Sequence, residues 1–337
     1  MRLQDWSKEM DVYEAKKQVI EAGKELWREG FIARTWGNIS CKTDENHFVI
    51  SASGREYETL TEEEVVELDL NTLSHEGDIK PSSEKRVHAE IYKLKEDVGF
   101  IIHTHQHNAS AVSAMGLHRV KFDKEYTGLG EFVLCSEYGL PSTSRVSDKV
   151  AEAVRDSIGN AVIMSNHGAV CYGKTREEAF EVVRNLEEAC GKFLDFMGVD
   201  PWQGEESHFV KEWNDDPVIM KYLQYKNALP AYLDDFAQMV GPQLTVYEDD
   251  ENVEDHIAKA IESNTPILVR GRGAMSNAES EDDRIALSMI IEKNCRAALA
   301  GIGCRPIGRY ESIFMRQFYL QKYSRLKNAG KEEEAEE

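Results

Sequence analysis

Residues 99–110 read GFIIHTHQHNAS. An apolar run, Phe100 to Ile102, leads into His103, His105 and His107 at every second position, and NASAVSAMG follows from Asn108. An apolar run with glycine before it and helix-forming residues after it predicts a buried strand followed by a helix. On a strand, residues i and i+2 project to one face, so His103 and His105 can reach the same spot. Two imidazoles placed this way are half of a divalent-metal site, or simply polar residues leaving a strand. His107 continues the alternation, but Asn108 has the character of a helix N-cap. GFIIHTH is therefore expected to be the strand, ending at His105, which leaves His107 outside the ligand set.

Around this stretch, strands and helices mix through the first ~200 residues, which indicates an α/β or α+β layer fold. Apolar residues at Val12, Ala15, Val19, Ala22 and Leu26 predict a first helix over 11–28. In EGFIARTWGNIS, Gly37-Asn38 reads as a turn between two short strands; HFVISASG reads as a strand closing on a glycine turn at Ser53-Gly54. SSEKRVHAEIYKLK reads as a helix capped by Ser82 or Ser83, with Glu84 in its first turn. NAVIMSNHGAVCYG reads as a strand broken at Asn166-His167-Gly168. The helix after it opens with a capping box, Thr175 and Glu178.

The stretch 201–229, rich in Trp, Asp, Glu and Pro, reads as a connector. Beyond it the sequence resembles itself. VSDKVAEAVRDS from Val146 matches VEDHIAKAIESN from Val253, and the 34 residues from Ala161 match those from Pro266 without a gap. The second match pairs Gly168 with Gly273, Ala169 with Ala274, Glu187 with Glu292 and Cys190 with Cys295, and puts Arg272 opposite His167. Residues 230–327 are thus expected to be a degenerate partial repeat without counterparts of HTH or PSSE. The alternative is chance likeness between two strand-turn-helix units. The expected domains are 1–200, the connector 201–229, the repeat 230–327 and an acidic disordered tail, 328–337.

His167 sits where a buried strand breaks, beside a glycine that lets other groups approach, so its imidazole can face a cleft. It could equally be a satisfied turn histidine. Glu84 could be a carboxylate ligand able to leave and act as a base, or an acid favoured by the helix dipole. The helix start at Ser82 and Ser83 offers free N–H groups to an anion. The turns at Gly37-Asn38 and Ser53-Gly54 can aim backbone amides at oxygen atoms.

Composition excludes several classes. With 40 Lys and Arg against 61 Asp and Glu, the formal net charge is −21, the opposite of the basic footprint that nucleic acid requires. No stretch approaches the roughly 18 apolar residues needed to span a bilayer, and MRLQDWSKEM has no apolar signal core. The six cysteines, Cys41, Cys135, Cys171, Cys190, Cys295 and Cys304, form no CxxC pair. That pattern predicts reduced thiols, a cytoplasmic protein and no cysteine-bound zinc.

TWGNIS, SASG, PSSEKRVHAEIY, HTHQHNASAVS and SNHGAVCYGKTREEAF stand in the order and spacing of the class II aldolase/adducin family, over residues 10–197. The chain resembles in particular that family's fuculose-phosphate aldolase-like enzymes. The resemblance implies an α/β, three-layer fold: a central, mainly antiparallel sheet flanked by helices, with a smaller C-terminal α/β domain in addition. It implies a metal held by Glu84, His103, His105 and His167, with Glu84 also the catalytic acid/base. It implies a substrate phosphate bound by Gly37, Asn38, Ser53, Gly54, Ser82 and Ser83. The metal would be Zn2+, with Mn2+ or Co2+ suited to the same ligands. The implied function is that of a lyase of carbohydrate metabolism. It would cleave a ketose 1-phosphate to dihydroxyacetone phosphate and an aldehyde through a zinc-stabilised enediolate. Relatives form fourfold tetramers, so a homo-oligomer is expected, either a tetramer or a pseudo-fourfold dimer. A tyrosine protonates the aldehyde oxygen in relatives; Tyr126 lies in the corresponding central region.

The same family contains sugar-phosphate 4-epimerases, which usually carry PSSD where this chain has Glu84, and decarboxylases. Its adducin-like members lack the histidines. The alternatives to the lyase are therefore epimerase, decarboxylase, or a binding module with a relic metal site.

Overall fold

The computed structural model describes residues 10–32, 35–204, 209, 211–300, 303 and 305–321. The acidic tail and Cys304 lie outside the described residues. The chain divides into two compact units: Met1–Ser113 with Leu117–Phe196, and Ala114–Gly116 with Met197–Glu337.

The first unit is built on eight strands: β1 (Asn38–Lys42), β2 (His47–Ser51), β3 (Val65–Asp69), β4 (Phe100–Thr104), β5 (Arg119–Val120), β6 (Val133–Ser136), β7 (Ala161–Met164) and β8 (Gly168–Gly173). They form one sheet in the order β3-β2-β1-β4-β8-β7-β6-β5. Every pairing is antiparallel except β6 with β7. The helices are α1 (Val12–Arg28), α2 (Lys85–Leu94), α3 (His107–Ser113), α4 (Ser144–Asp156) and α5 (Arg176–Phe196). Val87, Ile91 and Tyr92 of α2 and Val146, Val150 and Val154 of α4 pack with Phe48, Ile101, Val162, Val170 and Tyr172 on one sheet face. Helices α1, α3 and α5 also pack on the sheet. The result is the expected layered fold with a mainly antiparallel sheet. β4 lies at its centre and is buried at all five positions, which is why its sequence is a continuous apolar run rather than an alternation.

Four local expectations are corrected. The central strand ends at Thr104, not His105, and the helix after it begins at His107, not Asn108. The Asn108 and Ala109 N–H groups donate to Glu187 of α5 at 2.7 and 3.1 Å, so a distant carboxylate caps α3 and Asn108 does not. Neither Ser82 nor Ser83 is the N-cap of α2; Glu84 is. The Ser82 N–H donates to Ser51 O, and Pro81 bridges Ala52, so residues 81–82 are held extended along the end of β2 and the helix cannot start before Lys85. Among the described residues no strand precedes Gly37, which has a left-handed φ of +84°. A Cβ there would lie 2.6 Å from His103 O, so only glycine lets this turn close on β4.

The second unit contains α6 (Pro217–Leu223), β9 (Ala228–Pro230), α7 (Asp234–Met239), β10 (Gln243–Tyr247), α8 (Val253–Glu262), β11 (Ile267–Val269), β12 (Gly273–Met275) and α9 (Glu281–Leu299). Its sheet order is β12-β11-β10-β9. The stretch read as a connector, 201–229, carries α6 and the start of β9. Its Pro217 opens the helix and Asp216 caps it, accepting from Val218 N–H at 2.8 Å. Both are helix-start signals as well as loop composition. Lys293 of α9 pairs with Asp235 in the interior, and Arg296 with Glu292 at 2.9 Å.

Candidate metal centre

His103 lies one residue before the end of β4, His105 one residue after it, and His167 in the β7–β8 turn. Gly168 brings that turn onto β4: a Cβ at Gly168 would lie 2.2 Å from Thr104 O. The three imidazoles gather with ring centroids 5.0, 4.9 and 4.7 Å apart. One ligand atom from each lies within 4.8 Å of the others, and all three residues are buried. His107 is not among them.

The orientation of the His103 ring is fixed by its surroundings. Its Nδ1 is 2.9 Å from Ala169 O, which can only accept, so Nδ1 carries a hydrogen and Nε2 faces inward, where it can bind a metal or carry a second proton. That Nε2 is 3.1 Å from His167 Nε2. Two such nitrogens close together need a cation or a proton between them. Ligands roughly 2.0–2.1 Å from a tetrahedral ion are themselves about 3.3 Å apart, so the pair fits a metal. Glu84 completes the group: Oε2 is 3.1 Å from His103 Nε2 and Oε1 is 3.5 Å from His167 Nε2. Burial pushes the Glu84 carboxyl up. His167, His103 and the hydrogen bond from Asn38 outweigh it and hold the group well below the usual carboxylate range.

Behind Glu84 runs a hydrogen-bond chain that has no counterpart in the motif reading. Asn38 Nδ2 donates to Glu84 Oε2 at 3.0 Å, which turns Asn38 Oδ1 toward His88. An amide oxygen only accepts, so His88 Nε2 carries the hydrogen. His88 Nδ1 then accepts from Ser40 Oγ at 2.6 Å, and Ser40 accepts from the Tyr92 hydroxyl at 2.8 Å. His88 is the residue one helical turn beyond Glu84 in PSSEKRVHAEIY, and that i, i+4 spacing was the available signal.

Burial, with His103 adding to it, pushes the His88 imidazole down to about 3. It is therefore neutral in the folded protein, while the unfolded chain takes up a proton below about pH 6.5. The contribution of His88 is complete above that pH and is lost on acidification. The slope is about 1.4 kcal/mol per pH unit. Between pH 7.5 and 5.5 this amounts to about 1.4 kcal/mol, nearly all of it lost below about pH 6.5. Urea unfolding at the two pH values should show this loss in the wild type, and His88→Gln should remove most of it. An equal slope in both would mean that His88 is protonated in the native state.

Of the candidate phosphate residues, Asn38 and Ser82 touch Glu84 and the others lie on adjoining segments. Ser53 N–H donates to Lys80 O at 2.9 Å and Ser82 N–H to Ser51 O at 3.1 Å, which lays 51–54 beside 80–83. Gly54 has φ +77°. Ser83 Oγ accepts from Ser142 Oγ at 3.1 Å, and the Ser82 hydroxyl accepts from Glu84 N–H at 3.2 Å. The Asn38 side chain is engaged with Glu84 and His88. Tyr126 packs between Lys124 and Lys192, whose ammonium groups lie 4.4 and 5.8 Å from its ring.

Glu187 is a second residue the motifs do not reveal, an acid on the buried face of α5. Its carboxylate accepts from two amides at the start of α3, directly after the HTH segment. Charge-assisted bonds of this kind contribute about 1.5–3 kcal/mol each. Glu187→Ala is expected to lower the unfolding free energy by about 2–4 kcal/mol in a urea titration, and Glu187→Gln by less. No loss in Glu187→Ala would assign the capping of α3 elsewhere.

A profile of the class II aldolase and adducin N-terminal domain matches residues 17–194. The chain belongs to this family. It is 31% identical over 173 residues to the 5-deoxy-D-ribulose 1-phosphate aldolase of Bacillus thuringiensis serovar kurstaki, a match covering 51% of this chain and 80% of that one. Among solved structures it is similar to an L-fuculose 1-phosphate aldolase, with 25% identity, 58% of this chain and 92% of that chain covered, and a TM-score of 0.52. The fold is also that of YgbL from Klebsiella pneumoniae, at 22% identity and a TM-score of 0.50, covering 56% of this chain and 92% of that one. Membership and geometry agree: the class II aldolase unit brings together three histidines that could hold a divalent metal. Among the described residues no helix is long and apolar enough to cross a membrane.

Proposed function

We propose that the chain is a metal-dependent aldehyde-lyase that cleaves a ketose 1-phosphate to dihydroxyacetone phosphate and an aldehyde. The observation that carries this reading is the inward-facing Nε2 pair of His103 and His167, 3.1 Å apart, with Glu84 against both. His103, His105, His167 and, in the resting state, Glu84 would hold the ion, with zinc the first candidate. The ion supplies Lewis-acid stabilisation of negative charge developing on substrate oxygen.

The remaining work falls to the chain's own residues. The 51–54 and 80–83 segments, with Gly37 and Asn38, position the phosphate end. Glu84, held ionised, takes up or returns the proton at the carbon next to the carbonyl. Asn38 keeps the Glu84 carboxylate aimed while it does so, and His88 keeps Asn38 in place. We place the protein in the cytoplasm and expect it to work as a homo-oligomer.

The test is a screen of ketose 1-phosphates, 5-deoxyribulose and fuculose 1-phosphates first, for metal-dependent release of dihydroxyacetone phosphate. Release that stops with chelator and returns with zinc supports the reading. Bound metal with no release from any ketose 1-phosphate overturns it.

A further inference from the structure

The second unit repeats the frame of the first in detail. In the first unit β6 runs parallel to β7 with Cys135 opposite Ile163, and β7 runs antiparallel to β8 with Ile163 opposite Ala169 and Met164 opposite Gly168. In the second, β10 runs parallel to β11 with Val246 opposite Leu268, and β11 antiparallel to β12 with Leu268 opposite Ala274 and Val269 opposite Gly273. The strand orders β8-β7-β6-β5 and β12-β11-β10-β9 coincide, and the outer pair is antiparallel in both. Helix α4 lies between β6 and β7 and α8 between β10 and β11, and α5 and α9 follow β8 and β12. Chance likeness between two strand-turn-helix units would not reproduce one parallel and two antiparallel registers.

The correspondence extends further back than the sequence match. Thr104 pairs with Ala169, and Asn214 forms a bridge with Ala274. A Cβ at Gly168 would lie 2.2 Å from Thr104 O; one at Gly273 would lie 2.3 Å from Asn214 O. The seven-residue α3 starts three residues after Thr104, and the seven-residue α6 starts three residues after Asn214. Asn214 therefore stands for Thr104. Trp213 stands for His103, Asp215 for His105, and Arg272 for His167.

At those positions Arg272 lies 6.0 Å from the Trp213 ring and donates to Asp249 at 2.6 Å and to Glu254 at 2.9 Å. Arginine is always protonated. A guanidinium offers no lone pair to a metal, and Trp213 offers no ligand atom.

We infer that the second unit is a degenerate copy of residues 103–194. In it a guanidinium, neutralised by Asp249 and Glu254, has replaced the cation that the three histidines gather in the first unit. Each chain then carries two frames and one metal centre. The metal half of this inference rests on the reading of the first unit as a metal site; the repeat half does not.

The test uses the full chain and cobalt, whose visible absorption reports coordination. His103→Ala/His105→Ala should bind no cobalt. Adding W213H/D215H/R272H to that background should restore about one cobalt per chain, with visible bands. A variant with unchanged circular dichroism that stays cobalt-free overturns the equivalence. Trp213 packs on the apolar cluster of Val253, Ile257 and Val269, so a gentler pair guards against misfolding. D215H/R272H, both changes at partly or fully exposed positions, should bind cobalt at least about tenfold more tightly than R272A in the same background. Equal binding overturns the proposal. Wild type that takes up no cobalt would sink the metal reading of the first unit, while cobalt restored at the second would still uphold the repeat.

Discussion

Replacing His103 with alanine is expected to strip the protein of its metal. The Nδ1 bond to Ala169 O sets the orientation of His103, and its Nε2 lies 3.1 Å from both His167 Nε2 and Glu84 Oε2. Changing an outer partner of a metal ligand costs about 10–100-fold in affinity, so losing the ligand itself should cost more than roughly 100-fold. Titration against a chromophoric chelator reads this directly. Metal-dependent release of dihydroxyacetone phosphate should disappear at the same metal concentration. A variant that binds as tightly as the wild type would remove His103 from the centre, and the proposed lyase mechanism with it.

The second large effect is expected to separate binding from chemistry. Glu84→Gln keeps the size of the side chain and leaves three imidazoles to hold the ion, so metal content should stay close to that of the wild type. An amide cannot carry the proton. Turnover should fall by about 10²–10⁴-fold, the usual worth of a general acid/base. Exchange of the carbon-bound proton of dihydroxyacetone phosphate in D2O should fall with it. Full exchange in the variant would assign proton transfer to another group; loss of metal would make Glu84 an indispensable ligand first and a base second.

The parts of the centre that were legible in the sequence are those marked by residue type and period. His103 and His105 stand out because a strand repeats every two residues, and His167 because it precedes a glycine in a broken strand. The Ser-capped start of α2 misleads, because capping propensity carries no information about the backbone bonds that hold Pro81 and Ser82 against β2. Glu187 looks like one more acid on a long helix until α3 is seen to start on it. Trp213, Asp215 and the helix after them are hidden for a related reason. Once the imidazoles are replaced, only the bridge from Asn214 and the missing Cβ of Gly273 record what the segment pairs with, and both are facts of three-dimensional approach.

The chain of bonds from Tyr92 to Glu84 has one further consequence. Each member has a single permitted direction, because a carboxylate and an amide oxygen only accept and the others must comply. His88, Ser40 and Tyr92 are sealed from solvent. The proton on His88 Nε2 should therefore exchange slowly enough to be seen by NMR as a resonance shifted far downfield. That signal is two hydrogen bonds removed from the Glu84 carboxylate, so it should move when an ion or an anionic ligand arrives at the centre. The protein would then carry a resident spectroscopic reporter of its own site, readable before any substrate has been identified.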